Sequence, residues 1–189
     1  MKDLGLLQYF LGLEVMQSND GIFVCQKKYV ADLLKRFNMA NCEVVATPMN
    51  VNKKLQREDG TEKNNSTLFR SLVGGLNYLT HTRPNIAFSV SVVPRFMHNP
   101  TKQHFIATKR ILRYIAGTLN FGIWYCKVPN FSLIGFTDND WVGCLDDRKS
   151  TSGNVFSFGS GAVTWSSKEQ ETIALSSSEV EYAAASLAA

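Results

Sequence analysis

The sequence lacks the features of a membrane protein, a zinc protein and a disulfide scaffold. No apolar run is long enough to span a bilayer, and no basic–apolar–small leader stands at its start, so we expect neither membrane insertion nor secretion. The four cysteines, Cys25, Cys42, Cys126 and Cys144, are widely scattered and form no Cys-x-x-Cys pair. This spacing favours reduced thiols in an intracellular protein.

Charge is unevenly divided along the 189 residues. The first 130 hold 17 Lys and Arg against 8 Asp and Glu, a net charge of +9, whereas residues 131–189 hold 3 against 8, a net charge of −5. Two modules, one attracting polyanions and one able to hold cations, would produce this division, and so would an ordinary surface with unevenly spread charge. With 44% apolar residues, the chain can bury a core in one or two domains.

The first third of the chain predicts a β-hairpin, a helix and a loop. Alternating apolar residues predict strands over 7–15 and 22–25, joined by a turn at 18–21. Helical spacing continues from 26 to 39. The polar, turn-rich stretch 47–66 predicts a long loop.

Three helices are predicted next. The first, over 67–80, has an apolar face made of Leu68, Leu72, Leu76 and Leu79. The second begins at 83–84 and should kink or end at Pro94. The third runs from Thr101, a good N-cap, to Gly117, a good stop. Its basic residues, Lys102, Lys109, Arg110 and Arg113, lie near one face, which can follow a nucleic-acid backbone or simply be a solvated surface.

Short β-rich segments follow residue 120. Strands are predicted over 121–125, 131–138, 154–158 and 162–167, and the last three have the short connections of an antiparallel meander. A helix begins near Ser176, where Ser176 and Glu179 fit a capping box.

A candidate metal site lies in this last part. Asp138 and Asp140 stand two positions apart at the end of a predicted strand, so their side chains leave the same face. Glu181 lies on the final helix and takes no part in the predicted capping box, so its carboxylate has no structural role assigned. A strand carboxylate that faces a helix carboxylate is a plausible divalent-metal site, provided that the two segments meet.

Long phrases of this sequence resemble the C-terminal part of the Pol polyprotein of copia-type LTR retrotransposons. They keep the family's order over essentially the whole chain: MKDLG (1–5), YFLGLE (9–14), SLVGGLNYLT (71–80), TRP (82–84), RFMHNPTKQH (95–104), RILRY (110–114), FTDNDW (136–141), DRKSTSG (147–153), WSSK (165–168) and SSSEVEY (176–182).

The resemblance implies an α+β (α/β) fold in three parts. Residues 1–66 would be the end of the reverse-transcriptase palm and the start of its thumb. Residues 67–120 would be the helical thumb and connection region. Residues 121–189 would be a truncated ribonuclease H-like domain, with three antiparallel strands and then a helix.

The resemblance also implies a chemistry. Ribonucleases H bind two Mg²⁺ ions through carboxylates and cut the RNA strand of an RNA:DNA hybrid. Asp138 and Glu181 correspond to the first two ligands, with Asp140 secondary. The polymerase motif Tyr-x-Asp-Asp and the later ribonuclease H aspartates have no counterpart in this sequence, so we expect no polymerase activity and only half a Mg²⁺ site. Pro94 and Asn154 also depart from the family's usual residues.

Three hypotheses follow from the sequence. The leading one is a truncated retroelement fragment that binds nucleic acid, with an inactive partial site. The second is an enzyme whose site a second chain completes. The third is a non-catalytic module, adopted by the host, that binds a protein partner. The open edges of the predicted sheets favour self-association, or contact with the remainder of a Pol polyprotein.

Overall fold

The computed structural model describes residues 5–50, 54–129, 131–140 and 143–188. Within them the chain forms two antiparallel sheets and five α-helices, which confirms the mixed α/β class. Residues 1–4 and Trp141, which belong to the matching phrases, lie outside the described residues. Within the described ranges, no helix combines the length and apolar character needed to cross a membrane.

The elements follow one another in two groups. The first group is β1 (Tyr9–Phe10), β2 (Leu13–Gln17), β3 (Gly21–Cys25), α1 (Lys27–Arg36), α2 (Ser66–Leu79), a 3-10 turn (Pro84–Ile86), α3 (Ala87–Val92), a second 3-10 turn (Val93–Phe96), α4 (Lys102–Ala116) and β4 (Gly122–Cys126). The second group is β5 (Leu133–Asp140), β6 (Thr151–Phe158), β7 (Gly161–Glu169) and α5 (Ser177–Ala188).

The first sheet has the order β1-β2-β3-β4. The predicted hairpin is confirmed as β2 and β3, and the Ser18 N–H donates to the Gly21 carbonyl at 2.9 Å across the turn. The single strand predicted over 7–15 is wrong, because Leu11 and Gly12 take φ angles of 47° and 80° and reverse the chain between β1 and β2. β4 pairs with β3, so this sheet crosses the boundary expected near residue 121.

The helices of the first group enclose the apolar core. On α2 the buried side chains are Phe69, Leu72, Val73, Leu76 and Leu79, each at most 2% exposed. Burying each of these large side chains contributes about 1.5–3 kcal/mol. Leu68, predicted on the apolar face, is 47% exposed because the buried stripe is centred one residue later.

The predicted helix ends agree well with the structure. Thr101 and Gly117 are the caps of α4, and the chain passes from α3 into a 3-10 turn that contains Pro94. Before α5, the Ser176 hydroxyl accepts the Glu179 N–H at 3.2 Å. The Glu179 carboxylate accepts the N–H of the residue before Ser176, which completes a variant of the predicted capping box.

Three fully buried polar side chains, Gln26, Thr82 and Arg83, tie these elements together. The Thr82 hydroxyl donates to the Gln26 amide oxygen at 2.9 Å. Arg83 donates to the carbonyl (3.0 Å) and the hydroxyl (2.6 Å) of Thr118, just beyond α4, and lies 5.4 Å from the centre of the Phe121 ring. Burial lowers the pKa of Arg83. Its guanidinium remains charged, so it stabilises the negative end of the α4 dipole.

His104, which is fully buried at the start of α4, has a defined tautomer. Its Nδ1 accepts the Thr101 N–H at 2.9 Å, so Nε2 carries the proton and donates to the Gln56 carbonyl at 2.9 Å. The ring stacks on Phe96 with centroids 4.0 Å apart. The Thr101 hydroxyl donates to Asp59 at 2.5 Å. Through the bonds to Gln56 and Asp59, the neutral ring and its neighbour Thr101 hold the loop before α2 against the start of α4.

The second sheet has the order β5-β6-β7 and packs against α3 through β7. It also meets β4, where the Tyr125 hydroxyl donates to the Ala162 carbonyl at 2.7 Å. Its polar contacts with the helical part are Trp165 Nε1 to the Thr80 carbonyl (2.9 Å), Ser91 Oγ to Ser167 Oγ (2.9 Å), and Arg95 to Thr151 Oγ1 and Glu169 Oε1 (2.9 Å each). This seam fixes which face of the second sheet looks toward the helices.

The tautomer of His104 makes stability depend on pH. Burial lowers the pKa of His104, and this effect outweighs the bond to Gln56 and the charges of Asp59 and Asp146, which raise it. An unfolded histidine titrates near pH 6.5, so as the pH falls the unfolded chain takes up the proton first. We expect the free energy of unfolding to decrease from pH 7 to pH 5, as measured by urea denaturation.

The substitution His104→Asn should lower stability at pH 7 and flatten this pH dependence. His98→Asn, at an exposed histidine, is the matched control and should retain the wild-type slope. An unchanged slope in His104→Asn would assign the titration to another group.

Arg95 should control how firmly the second sheet is docked. Arg95→Met removes the bonds to Thr151 and Glu169, and a hydrogen bond to a charged group contributes about 1.5–3 kcal/mol. Amide hydrogen exchange in β6 and β7 should become about tenfold faster, while α4 stays unchanged. Arg70→Met, at an exposed arginine of α2, is the control. Equal acceleration in α4 would show that Arg95 stabilises the whole fold and not the seam.

Candidate acidic site on the second sheet

The pleat of β5 determines where its two acids point. Asp138 lies opposite Gly153 and Asp140 opposite Thr151, so all four residues belong to one face of the second sheet. The hydroxyl of Thr151 on that face binds Arg95, which follows α3. The face that carries both carboxylates therefore looks toward the helices.

A cleft of about 400 Å³ separates this face from α3. Asp138 and Asp140 line it together with the aromatic side chains of Phe88, Phe136 and Trp165. An adjoining cavity of about 450 Å³ also reaches Phe88 and Asp140 and extends toward the loop before α2. Exposed rings beside carboxylates offer stacking surface to a planar group and ligand atoms to a cation.

The open space beside Asp138 has a specific cause. A Cβ added to Gly153 would meet no atom closer than 3.9 Å, so the absent side chain leaves the cross-strand position empty. Asp138 is exposed, and its Oδ1 accepts the N–H of Asn139 at 2.8 Å. One oxygen of this carboxylate is thus already in a local hydrogen bond, while the group as a whole remains open to solvent.

Glu181 approaches the sheet from a different direction. The buried Gln170 donates to the Ser152 hydroxyl at 2.7 Å and to the Val180 carbonyl at 3.3 Å, which places α5 against the face that carries Ser152. Ser152 precedes Gly153, so this is the reverse of the face that carries Asp138. Glu181 is exposed on α5. The metal role of Asp138 and Glu181 stays a prediction.

A second acidic cluster was not predicted from the sequence. Ligand atoms of Cys144, Asp147 and Glu169 lie within 4.8 Å of one another. Burial raises the pKa of Asp147, but hydrogen bonds from the Cys144 thiol and the Lys149 N–H, with nearby positive charges, lower it overall. Glu169 pairs with Arg95 at 2.9 Å. The two acids of the cluster thus already have donors or cations beside them, from Cys144, Lys149 and Arg57 for Asp147 and from Arg95 for Glu169.

The predicted basic stripe of α4 is divided by the structure. Its members are Lys102, Lys109, Arg110 and Arg113. Arg110 donates to the Thr47 hydroxyl at 2.9 Å, and Arg113 pairs with the Glu43 carboxylate at 2.8 Å. Both arginines therefore hold the loop after α1. The two lysines are exposed, so they remain available to an anionic partner.

The comparisons with known proteins agree with the resemblance. A family of reverse transcriptases (RNA-dependent DNA polymerases) matches residues 1–51. The chain is 43% identical to the retrovirus-related Pol polyprotein from transposon RE1 of Arabidopsis thaliana, over 96% of this chain and 12% of that protein. It is 41% identical to the polyprotein from transposon TNT 1-94 of Nicotiana tabacum, over 98% of this chain and 14% of that protein.

A shorter relative matches along most of its own length. The uncharacterized mitochondrial protein AtMg00810 of Arabidopsis thaliana is 40% identical over 100% of this chain and 78% of that protein. No solved structure matches the chain. Against the transposon polyproteins, by contrast, the match extends over less than a sixth of their length. The chain belongs to the family of copia-type retrotransposon Pol polyproteins and is equivalent to a short part of one.

Proposed function

We propose that this chain is a nucleic-acid-binding part of a retrotransposon polyprotein, with a ribonuclease H-like segment that does not cut RNA by itself. One observation carries the assignment: β5, β6 and β7 form an antiparallel meander followed by α5, with Asp138 near the end of the first strand. This is the order that the resemblance implies for the start of a ribonuclease H-like domain.

The carboxylates available as metal ligands argue against cleavage by the chain alone. Mg²⁺ requires a nearly complete octahedral shell of oxygen ligands. Among the described residues, the group of three close ligands contains neither Asp138 nor Glu181. The side chain of Asp138 leaves β5 toward α3, whereas α5, which carries Glu181, packs on the reverse face of the second sheet, and this arrangement argues against a closed Mg²⁺ site. We therefore assign no metal-dependent step to these residues.

Binding rests on the exposed cations of α4. Lys102 and Lys109 are seven positions apart, so both lie near one side of the helix and can reach successive phosphates. Such binding neutralises phosphates and releases counterions, and it therefore weakens as salt is added. An RNA:DNA hybrid is the ligand that the family resemblance favours.

We expect no Mg²⁺-dependent cleavage of a labelled RNA:DNA hybrid above the level of Asp138→Asn. A time course with both proteins, purified in parallel, measures this. Cleavage that is lost in the mutant would overturn the inactive assignment. If that activity also rose steeply with protein concentration, a second chain would be completing the site.

The α4 lysines should dominate hybrid binding. We expect Lys102→Ala/Lys109→Ala to weaken binding and to reduce the slope of log affinity against log salt by about 1.8, as measured by fluorescence anisotropy. Lys28→Ala/Lys35→Ala has the same spacing on α1 and should leave most of the affinity. Equal losses of hybrid affinity in both double variants would show that the attraction is spread over the basic surface. Affinity that does not change with salt would favour the hypothesis of a protein partner.

A further inference from the structure

One peptide group, between Gln56 and Arg57, joins the helical part of the molecule to the second sheet. Its carbonyl accepts the Nε2–H of His104, at the start of α4, at 2.9 Å. Its N–H donates to the Asp146 carboxylate, in the β5–β6 connection, at 2.9 Å. The C=O and N–H of a trans peptide point in opposite directions, so one rigid plane links the histidine to the acid. Each of the two bonds also polarises the peptide in favour of the other.

The loop that contains this peptide, residues 56–59, also covers the ring of His104. The ring is fully buried, and the Asp59 carboxylate of the loop lies 4.0 Å from Nε2. Asp59 and Asp146 are the charged groups that act on the ring. On its other side, the second 3-10 turn contributes the uncharged ring of Phe96.

This site fits a neutral ring better than a charged one. Nδ1 accepts the Thr101 N–H at 2.9 Å, so a second ring proton would set two donors against each other. Protonation would also put a positive charge in a site without access to solvent, which is costly even beside two carboxylates. Water reaches the ring most easily if loop 56–59 moves away, because Thr101 and Phe96 belong to α4 and to the turn before it.

A cavity lies next to the same link. It has a volume of about 450 Å³, and its lining includes Lys54 and Leu55, just before the peptide, and Cys144 in the β5–β6 connection. Cys144 is 7% exposed. If loop 56–59 leaves α4, it carries the neighbouring Lys54 and Leu55 with it and uncovers the thiol.

We propose that the peptide between Gln56 and Arg57 is an acid-sensitive link between the helical part and the second sheet. When His104 takes up a proton, loop 56–59 leaves α4 and releases Asp146. The cavity beside Cys144 then opens to solvent while both sheets stay folded. This is a local opening, which needs less free energy than unfolding of the whole chain.

The pH range follows from the two states of His104. Burial lowers the pKa of His104 in the closed state, whereas a solvated histidine titrates near pH 6.5. The closed state is therefore favoured above about pH 6.5 and loses stability as the pH falls below it. Uptake of one proton raises the open population about tenfold between pH 7.5 and pH 5.5. Asp147, which accepts a hydrogen bond from the Cys144 thiol, has a lowered pKa and stays charged over this range.

Labelling of the full chain with dithiodipyridine, a thiol reagent that works at acidic pH, tests this link. Peptide mass spectrometry gives the labelling rate of each cysteine, and division by its rate in the urea-unfolded chain at the same pH gives its protection. We expect the protection of Cys144 to fall about tenfold between pH 7.5 and pH 5.5. It should remain below that of Cys25, which is buried in β3 and reports unfolding of the whole chain.

Two variants test the path from the ring to the connection. His104→Asn should abolish the pH dependence of Cys144 protection. If that variant does not fold, Asp146→Ala keeps the test decisive, because it cuts the other end of the link. It should lower the protection of Cys144 at pH 7.5 by at least about threefold and reduce its pH dependence. Asp20→Ala, at an exposed acid of the hairpin turn, is the control and should behave as wild type.

Three results would overturn the proposal. The first is a protection of Cys144 that does not change with pH. The second is equal protection of Cys144 and Cys25 at each pH, which would show that the thiol is uncovered by unfolding of the whole chain. The third is a wild-type pH dependence in a folded His104→Asn or Asp146→Ala variant.

Discussion

The buried guanidinium of Arg83 is the interaction around which the first half of the molecule is arranged. It binds Thr118 directly after α4, and its neighbour Thr82 binds Gln26 directly before α1. A charged group without an acidic partner in the described residues is costly to bury unless its donors are satisfied. Here the Thr118 carbonyl and hydroxyl after α4, the Asn85 amide oxygen and the ring of Phe121 meet that need.

The two sheets are held by different forces. The helices beside the first sheet bury large aliphatic and aromatic side chains that carry most of the hydrophobic stabilisation. The second sheet packs on α3 and β4 with several single hydrogen bonds and the Arg95–Glu169 pair, and it leaves Leu133 and Phe136 in solvent. Polar seams contribute less net free energy than apolar ones, since each bond replaces one made to water. The acidic cleft lies along this seam.

Family membership and activity rest on different observations. Identities of 40–43% over nearly the whole chain establish the relationship to retrotransposon polyproteins. Activity depends on convergent groups, and here Asp138 faces α3 while α5 packs on the reverse face of the sheet. Electrostatic attraction needs less geometric accuracy than a metal site, because phosphate contacts act through charge and are not base-specific. Lys102 and Lys109 on α4 are exposed, and the proposal of nucleic-acid binding rests on them.

Local chemistry in the sequence determined the hairpin turn, the ends of α4 at Thr101 and Gly117, and the caps of α5, because each depends on residues a few positions apart. The family phrases determined the relationship. Only the tertiary structure decided that β4 joins β3, that Leu68 is exposed while Phe69 is buried, and that Arg110 and Arg113 hold the loop after α1. It also decided which face of the sheet Asp138 occupies. These outcomes depend on partners far away in the sequence, 63 residues for Arg110 and Thr47 and 105 for Gly21 and Cys126, and no local periodicity encodes which distant surface a side chain will meet.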